Sequence, residues 1–100
     1  MAKKLPPVHP GEILREEFLV PLKLTPYAVA AAAALDVPRT RIERFAREEK
    51  PVTADTALRL GKFFKTDAAF WMNIQARFDL ETVEDALAPQ IKKIVSYDAA

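Results

Sequence analysis

Between Asp36 and Lys50 the chain reads DVPRTRIERFAREEK, with five basic and four acidic residues. Four of the basic residues are arginines, Arg39, Arg41, Arg44 and Arg47. A guanidinium is a planar fork that satisfies two acceptors at once, so it suits the edge of a guanine or the oxygens of a phosphate. Thr40 can bond a base edge or touch a thymine methyl, and Glu43 can accept from a cytosine amine. Lys50 suits a phosphate contact, which adds affinity but carries no sequence information. The same residues would also decorate the solvated side of an ordinary helix, where Glu/Arg pairs three or four apart are common. The choice between these readings depends on how the segment is mounted.

Residues 38–47, PRTRIERFAR, are expected to form a helix. Advancing about 100° per residue places Pro38, Ile42, Phe45 and Ala46 on one side. Thr40, Glu43, Arg44 and Arg47 fall opposite, flanked by Arg39 and Arg41. A helix packed by one face and presented by the other is what a helix-turn-helix requires of its second member. The first member would start at Thr25, an N-cap residue followed by Pro26, and continue through YAVAAAAA. An earlier helix should begin near Pro10, with Glu12 in its first turn and Ile13, Leu14 and Phe18 on one face, and end at Pro21. A fourth helix should run from the Thr53 cap to about Phe64, burying Ala57, Leu60, Gly61 and Phe64. A fifth, capped by Asp67, carries the stripe Phe70, Trp71, Ile74 and Phe78 and should reach about Leu87, ahead of Pro89. The tail IKKIVSY is open between strand, helical turn and mobile end. The expected fold is all-α, with five helices.

One hundred residues, half of them hydrophobic, fit one compact domain. No cysteine is present, which excludes a disulfide framework and thiolate metal sites. The single histidine argues against a His-based metal centre, and His9 is read as a local cap or packing residue. No segment approaches a membrane span, and MAKKLPPVHPGE lacks the apolar stretch of a secretory signal, so a cytoplasmic location is expected. Residues 1–77 hold 13 Lys/Arg against 9 Asp/Glu, and residues 78–100 hold 2 against 5. A basic body with an acidic end suits two different partners, although chance produces the same balance. Asp79, Glu81, Glu84 and Asp85 form either a solvated face or a patch for a basic protein. Phe70 and Trp71 are expected in the core or at a subunit contact, and Tyr27 either packs on the first helix or reaches a phosphate. No nucleophile–base pair, phosphate-cradling loop or buried carboxylate pair supports catalysis, so neither an enzyme nor a cofactor is expected.

Several blocks in fixed order, HPGEILREEFL, VPRTRI, VTADTALRL, FFKTDAAFWMN and QARFDLE, resemble those of the HigA-type antitoxins. These form a branch of the XRE, lambda-repressor-like helix-turn-helix family, and the resemblance covers roughly residues 9–87. It implies an N-terminal arm (1–8), a helix-turn-helix domain (9–87) and a C-terminal tail (88–100). It also implies a type II antitoxin that binds and neutralises a HigB-type toxin, a RelE-like mRNA endonuclease. As a homodimer, the antitoxin would repress its own operon on double-stranded operator DNA. Position by position, Arg39, Thr40, Glu43 and Arg44 match the family's base-reading positions, with Arg41 beside them. Arg47, Lys50 and Thr25 would mainly hold phosphates.

Three features depart from the family pattern. The alanine run is lengthened, Asp36 replaces the turn glycine, and Arg47-Glu48-Glu49-Lys50 replaces the usual Asn-Gly-Lys. The toxin surface is open between the N-terminal arm and the acidic C-terminal region. Two other functions remain on the table: a stand-alone XRE-type transcriptional regulator, and a helical protein-interaction module with weakened DNA binding.

Overall fold

The structure is a computed structural model, and it describes residues 5–29 and 35–98. Helix α1 spans Pro10–Ile13 and passes directly into a π-helical turn, Leu14–Leu19. Helices α2 (Arg39–Ala46), α3 (Ala54–Phe64) and α4 (Ala68–Lys92) follow. Residues 26–29 begin a further helical segment, and its expected continuation through the alanine run falls on residues 30–34, outside the described residues. Among the described residues the fold is all-helical, with no strand.

The local chemistry accounts for most of these boundaries. Pro10 sits in the first turn of α1, where its missing N–H costs nothing. Thr53 accepts from the backbone N–H of Thr56 and starts α3 as its N-cap. Each of three helical ends is closed by a residue other than glycine in the left-handed region: Lys23 (φ 56°), Glu48 (φ 65°) and Lys65 (φ 59°). Paired backbone bonds hold them. At the end of α2, Glu48 N–H donates to the Phe45 carbonyl and Glu49 N–H to that of Arg44, both at 2.9 Å. This is the Schellman arrangement, normally closed by glycine.

The two glycines serve a different purpose, close packing. A Cβ on Gly11 would lie 1.9 Å from the Phe45 carbonyl oxygen, so α1 meets the end of α2 backbone to backbone. A Cβ on Gly61 would lie 2.8 Å from the Thr66 carbonyl oxygen, at the bend between α3 and α4.

The core joins Leu14 and Leu19, Ile42, Phe45 and Ala46 of α2, Ala57 and Leu60 of α3, and Trp71 of α4, with Val29, Leu35 and Val52. Trp71 is fully buried within the protomer, against Phe18 and Phe45, and donates to Thr66 Oγ1 at 2.9 Å. It is a core residue of the single chain. Phe70 is the exception in its stripe: it is exposed, while Ile74 and Phe78 are half-buried.

Helix α4 passes through Pro89 to Lys92 and does not stop at Leu87. Residues 82–98 are exposed throughout, so the bond that Pro89 cannot donate is lost where water replaces it. The end of α4 therefore stands clear of the body. The radius of gyration is 17.1 Å, against about 13 Å for a compact chain of this length. Residues 94–98 have no regular structure.

Candidate nucleic-acid interface

Helix α2 is anchored by one face and open on the other. Ile42, Phe45 and Ala46 are buried, whereas Arg39, Thr40, Arg41, Arg44, Arg47 and Lys50 are exposed and Glu43 is half-buried. The anchoring face is the one expected from periodicity, except that Pro38 is exposed at the helix start. Upstream, Thr25 Oγ1 accepts from Ala28 N–H at 3.0 Å and caps the segment that begins at residue 26. That hydroxyl keeps its own proton available for a phosphate oxygen. Asp36 takes φ 59° in the turn before α2, the left-handed conformation that the family's glycine would supply. Aspartate is among the few residues that visit this region at modest cost.

The arginines divide into two groups. Arg44, Arg47 and Lys50 make no side-chain ion pair or hydrogen bond among the described residues. Arg39 is oriented by Glu43, at 3.6 Å one helical turn away, and by the ring of Tyr27, whose centroid lies 5.9 Å from its guanidinium carbon. Tyr27 itself is exposed and is not packed into the core. Arg41 reaches across to α3 and donates to Asp55 Oδ1 at 2.8 Å.

Three residues that the sequence does not single out, Arg15, Arg59 and Asp55, position this helix. Arg15 donates to the Ala46 carbonyl at 2.6 Å and to Glu48 at 3.1 Å, a cation at the negative end of α2. Its ion pair turns Glu48 towards the body. Arg59 donates to the Leu35 carbonyl at the start of the turn and to Asp55 at 2.7 Å. Asp55 thus bridges Arg59 and Arg41 and ties both the turn and α2 to α3. Its carboxyl is held below the usual carboxylate range, first by the Arg59 hydrogen bond and then by charges that include Arg41. Arg59 and Asp55 are one helical turn apart, but the contacts that tie them and Arg15 to other elements span 14 to 33 positions along the chain, which is why local periodicity does not reveal those.

His9 acts as a cap. Its Nδ1 accepts from Gly11 N–H at 2.8 Å, and its ring stacks edge-on against Phe78 at 4.8 Å. Burial pushes its pKa down, partly opposed by Glu48 and Asp79, while Arg15 adds to the lowering. Gln75 ties α4 to the segment before α3 by accepting from Val52 N–H at 2.8 Å, and it donates to Asp79 on its own helix at 2.9 Å. Within the acidic stretch of α4, Glu81 pairs with Arg77 at 3.2 Å. No helix among the described residues is long and apolar enough to cross a membrane.

A buried-face helix carrying an exposed cationic face, entered through a tight left-handed turn, defines a helix-turn-helix protein. The comparisons with known proteins agree. The chain is 48% identical over 81 residues to Virulence-associated protein I of Dichelobacter nodosus, covering 81% of this chain and 73% of that protein. It is 40% identical over 78 residues to an uncharacterized HTH-type transcriptional regulator of Haemophilus influenzae, covering 78% and 71%. Among solved structures it is similar to the Pseudomonas aeruginosa antitoxin HigA with the higBA promoter, at TM-score 0.82 and 42% identity over 90% of this chain and 96% of that one. It is also similar to an addiction module antidote protein of the HigA family from Coxiella burnetii, at TM-score 0.84 and 36% identity over 93% and 100%. No family model matches. The chain belongs to the HigA-type antitoxins of the XRE helix-turn-helix family.

Proposed function

We propose that this chain is a type II antitoxin that represses its own operon by sequence-specific DNA binding and neutralises a HigB-type, RelE-like mRNA endonuclease by direct contact. The observation that carries the DNA half is the exposed face of α2, with Arg44, Arg47 and Lys50 left without partners among the described residues. Arg39, Thr40, Glu43 and Arg44 read base edges in the major groove. Arg47, Lys50 and Thr25 hold phosphates, and Arg41 helps to position the helix. A titration of its promoter duplex at two salt concentrations tests this. Binding should weaken steeply with salt, by roughly 0.9 in log–log slope per phosphate contact; affinity insensitive to salt would refute the reading.

The finer architecture belongs to the same proposal. It takes the domain to be five-helix and lambda-repressor-like over 9–87, between an arm at 1–8 and a tail at 88–100. The protein works in the cytoplasm and is not an enzyme.

A homodimer would place two copies of α2 in successive major grooves, about 34 Å apart. The exposed end of α4 supports a self-contact there. Leu80, Val83, Leu87 and Ile91 recur at three- and four-residue spacing, and even Leu87, the least exposed of them, keeps 41% of its surface in water. Co-expression with an adjacent small basic reading frame, followed by pull-down, tests the toxin half and separates it from a stand-alone regulator. The pairing of Glu48 with Arg15 counts against an interaction module that has lost DNA binding, because that charge is already met.

A further inference from the structure

A groove runs between α2 and the start of α3, lined by Thr40, Arg41, Arg44 and Lys50 on one side and by Thr53 and Asp55 on the other. Asp55 is the sole carboxylate among its lining residues. It is not a loose surface group. One oxygen, Oδ1, accepts from Arg59 Nε at 2.7 Å and from Arg41 Nη1 at 2.8 Å, while the other arm of Arg59 is fixed on the Leu35 carbonyl. Arg59 therefore holds Asp55 in place whether or not Arg41 is present. Of the three groove cations, Arg44 and Lys50 have no ion-pair partner among the described residues, and Arg41 alone is neutralised.

We propose that Asp55 sets the preference for operator over unrelated duplex by withholding Arg41 from the phosphate backbone. This rests on the DNA-binding reading above. Binding to unrelated DNA is almost wholly electrostatic, so an additional unpaired arginine at the interface strengthens it directly. Operator binding depends also on base-edge contacts from Arg39, Thr40, Glu43 and Arg44 and gains proportionally less. A carboxylate clamped beside the groove thus costs non-specific affinity more than specific affinity.

The test compares parent, Asp55→Asn and Asp55→Ser on operator and scrambled duplexes across a salt series, with thermal unfolding to verify the fold. Both neutral variants should bind scrambled duplex more tightly at low salt. Their salt dependence should steepen by about 0.9 in log–log slope, an extra loss of roughly 3.5-fold between 50 and 200 mM. The operator-to-scrambled ratio should fall several-fold. Asp55→Glu, which keeps the charge, should retain the parent slope. In an Arg41→Gln background the effect of Asp55→Asn on slope should vanish. A purely structural role in the first turn of α3 would alter melting in both backgrounds and leave the slope unmoved. A folded neutral variant with the parent's slope and ratio overturns the proposal. A parent that binds neither duplex overturns the DNA-binding reading itself, a result distinct from failure of the Asp55 mechanism alone.

Discussion

Replacing Gly11 with alanine tests how closely the first helix is fitted to the helix proposed to read DNA. The added Cβ would stand 1.9 Å from the Phe45 carbonyl oxygen and 3.0 Å from both the Phe45 carbonyl carbon and His9 Nδ1. Carbon–oxygen contacts settle near 3.3 Å, so the two backbones must part by about 1.4 Å. Neither contact atom on α2 belongs to a flexible side chain, so the strain cannot be relieved by a rotamer change. Overpacking of this kind costs about 1–3 kcal/mol, and loss of the His9 cap on Gly11 adds about 1 kcal/mol. Roughly 2–4 kcal/mol is a large share of the 5–15 kcal/mol that holds a small domain together. Urea unfolding should show the midpoint falling with the slope unchanged. A loss below about 0.5 kcal/mol would mean that α1 and α2 are not in backbone contact, and the reasoning would fail.

Arg15→Ala removes the guanidinium from the Ala46 carbonyl and from Glu48. Because the side chain is partly exposed, the expected cost is about 1 kcal/mol in chemical denaturation, together with weaker operator binding from a less well-held α2. His9 has a folded pKa below its ordinary value of 6.5, chiefly through burial. The unfolded chain therefore takes up the proton first, and stability that is complete above about pH 6.5 declines as the pH falls through the lowered value. His9→Asn keeps a cap acceptor and cannot titrate, so its stability curve should lack that decline; parallel curves for the two proteins would contradict the assignment. Leu80→Glu with Leu87→Glu puts charge into the exposed α4 stripe, and sedimentation should show the proposed dimer converted to monomer with helix content retained.

The elements of this fold were legible wherever their causes are local. Thr53 with its following apolar spacing marks α3 to the residue, and the period of Ile42, Phe45 and Ala46 identifies the buried face of α2. Asp36 could be read as a stand-in for a turn glycine, because aspartate tolerates the left-handed region it occupies. Glu48 could not. Nothing in a Glu-Glu pair announces a helix end, and the position is held by a Schellman closure and by Arg15, 33 residues away. The same limit hides the bonds that Arg59 and Asp55 make to Leu35 and Arg41, outside their own helix. Pro89 misleads in the other direction. A proline reads as a helix stop, yet at a solvated helix end the missing bond costs little and α4 continues. Phe70 shows that a stripe drawn on a helical wheel does not say how wide the contacting neighbour is.

The central claim is that the outward face of α2 reads sequence. Its most direct measurement is the affinity of Arg44→Ala for operator and for scrambled duplex, at one fixed salt concentration. A base-reading Arg44 should lose about 1–3 kcal/mol on the operator and distinctly less on the scrambled duplex. Equal affinity of variant and parent for the operator, or equal losses on both duplexes, would contradict it.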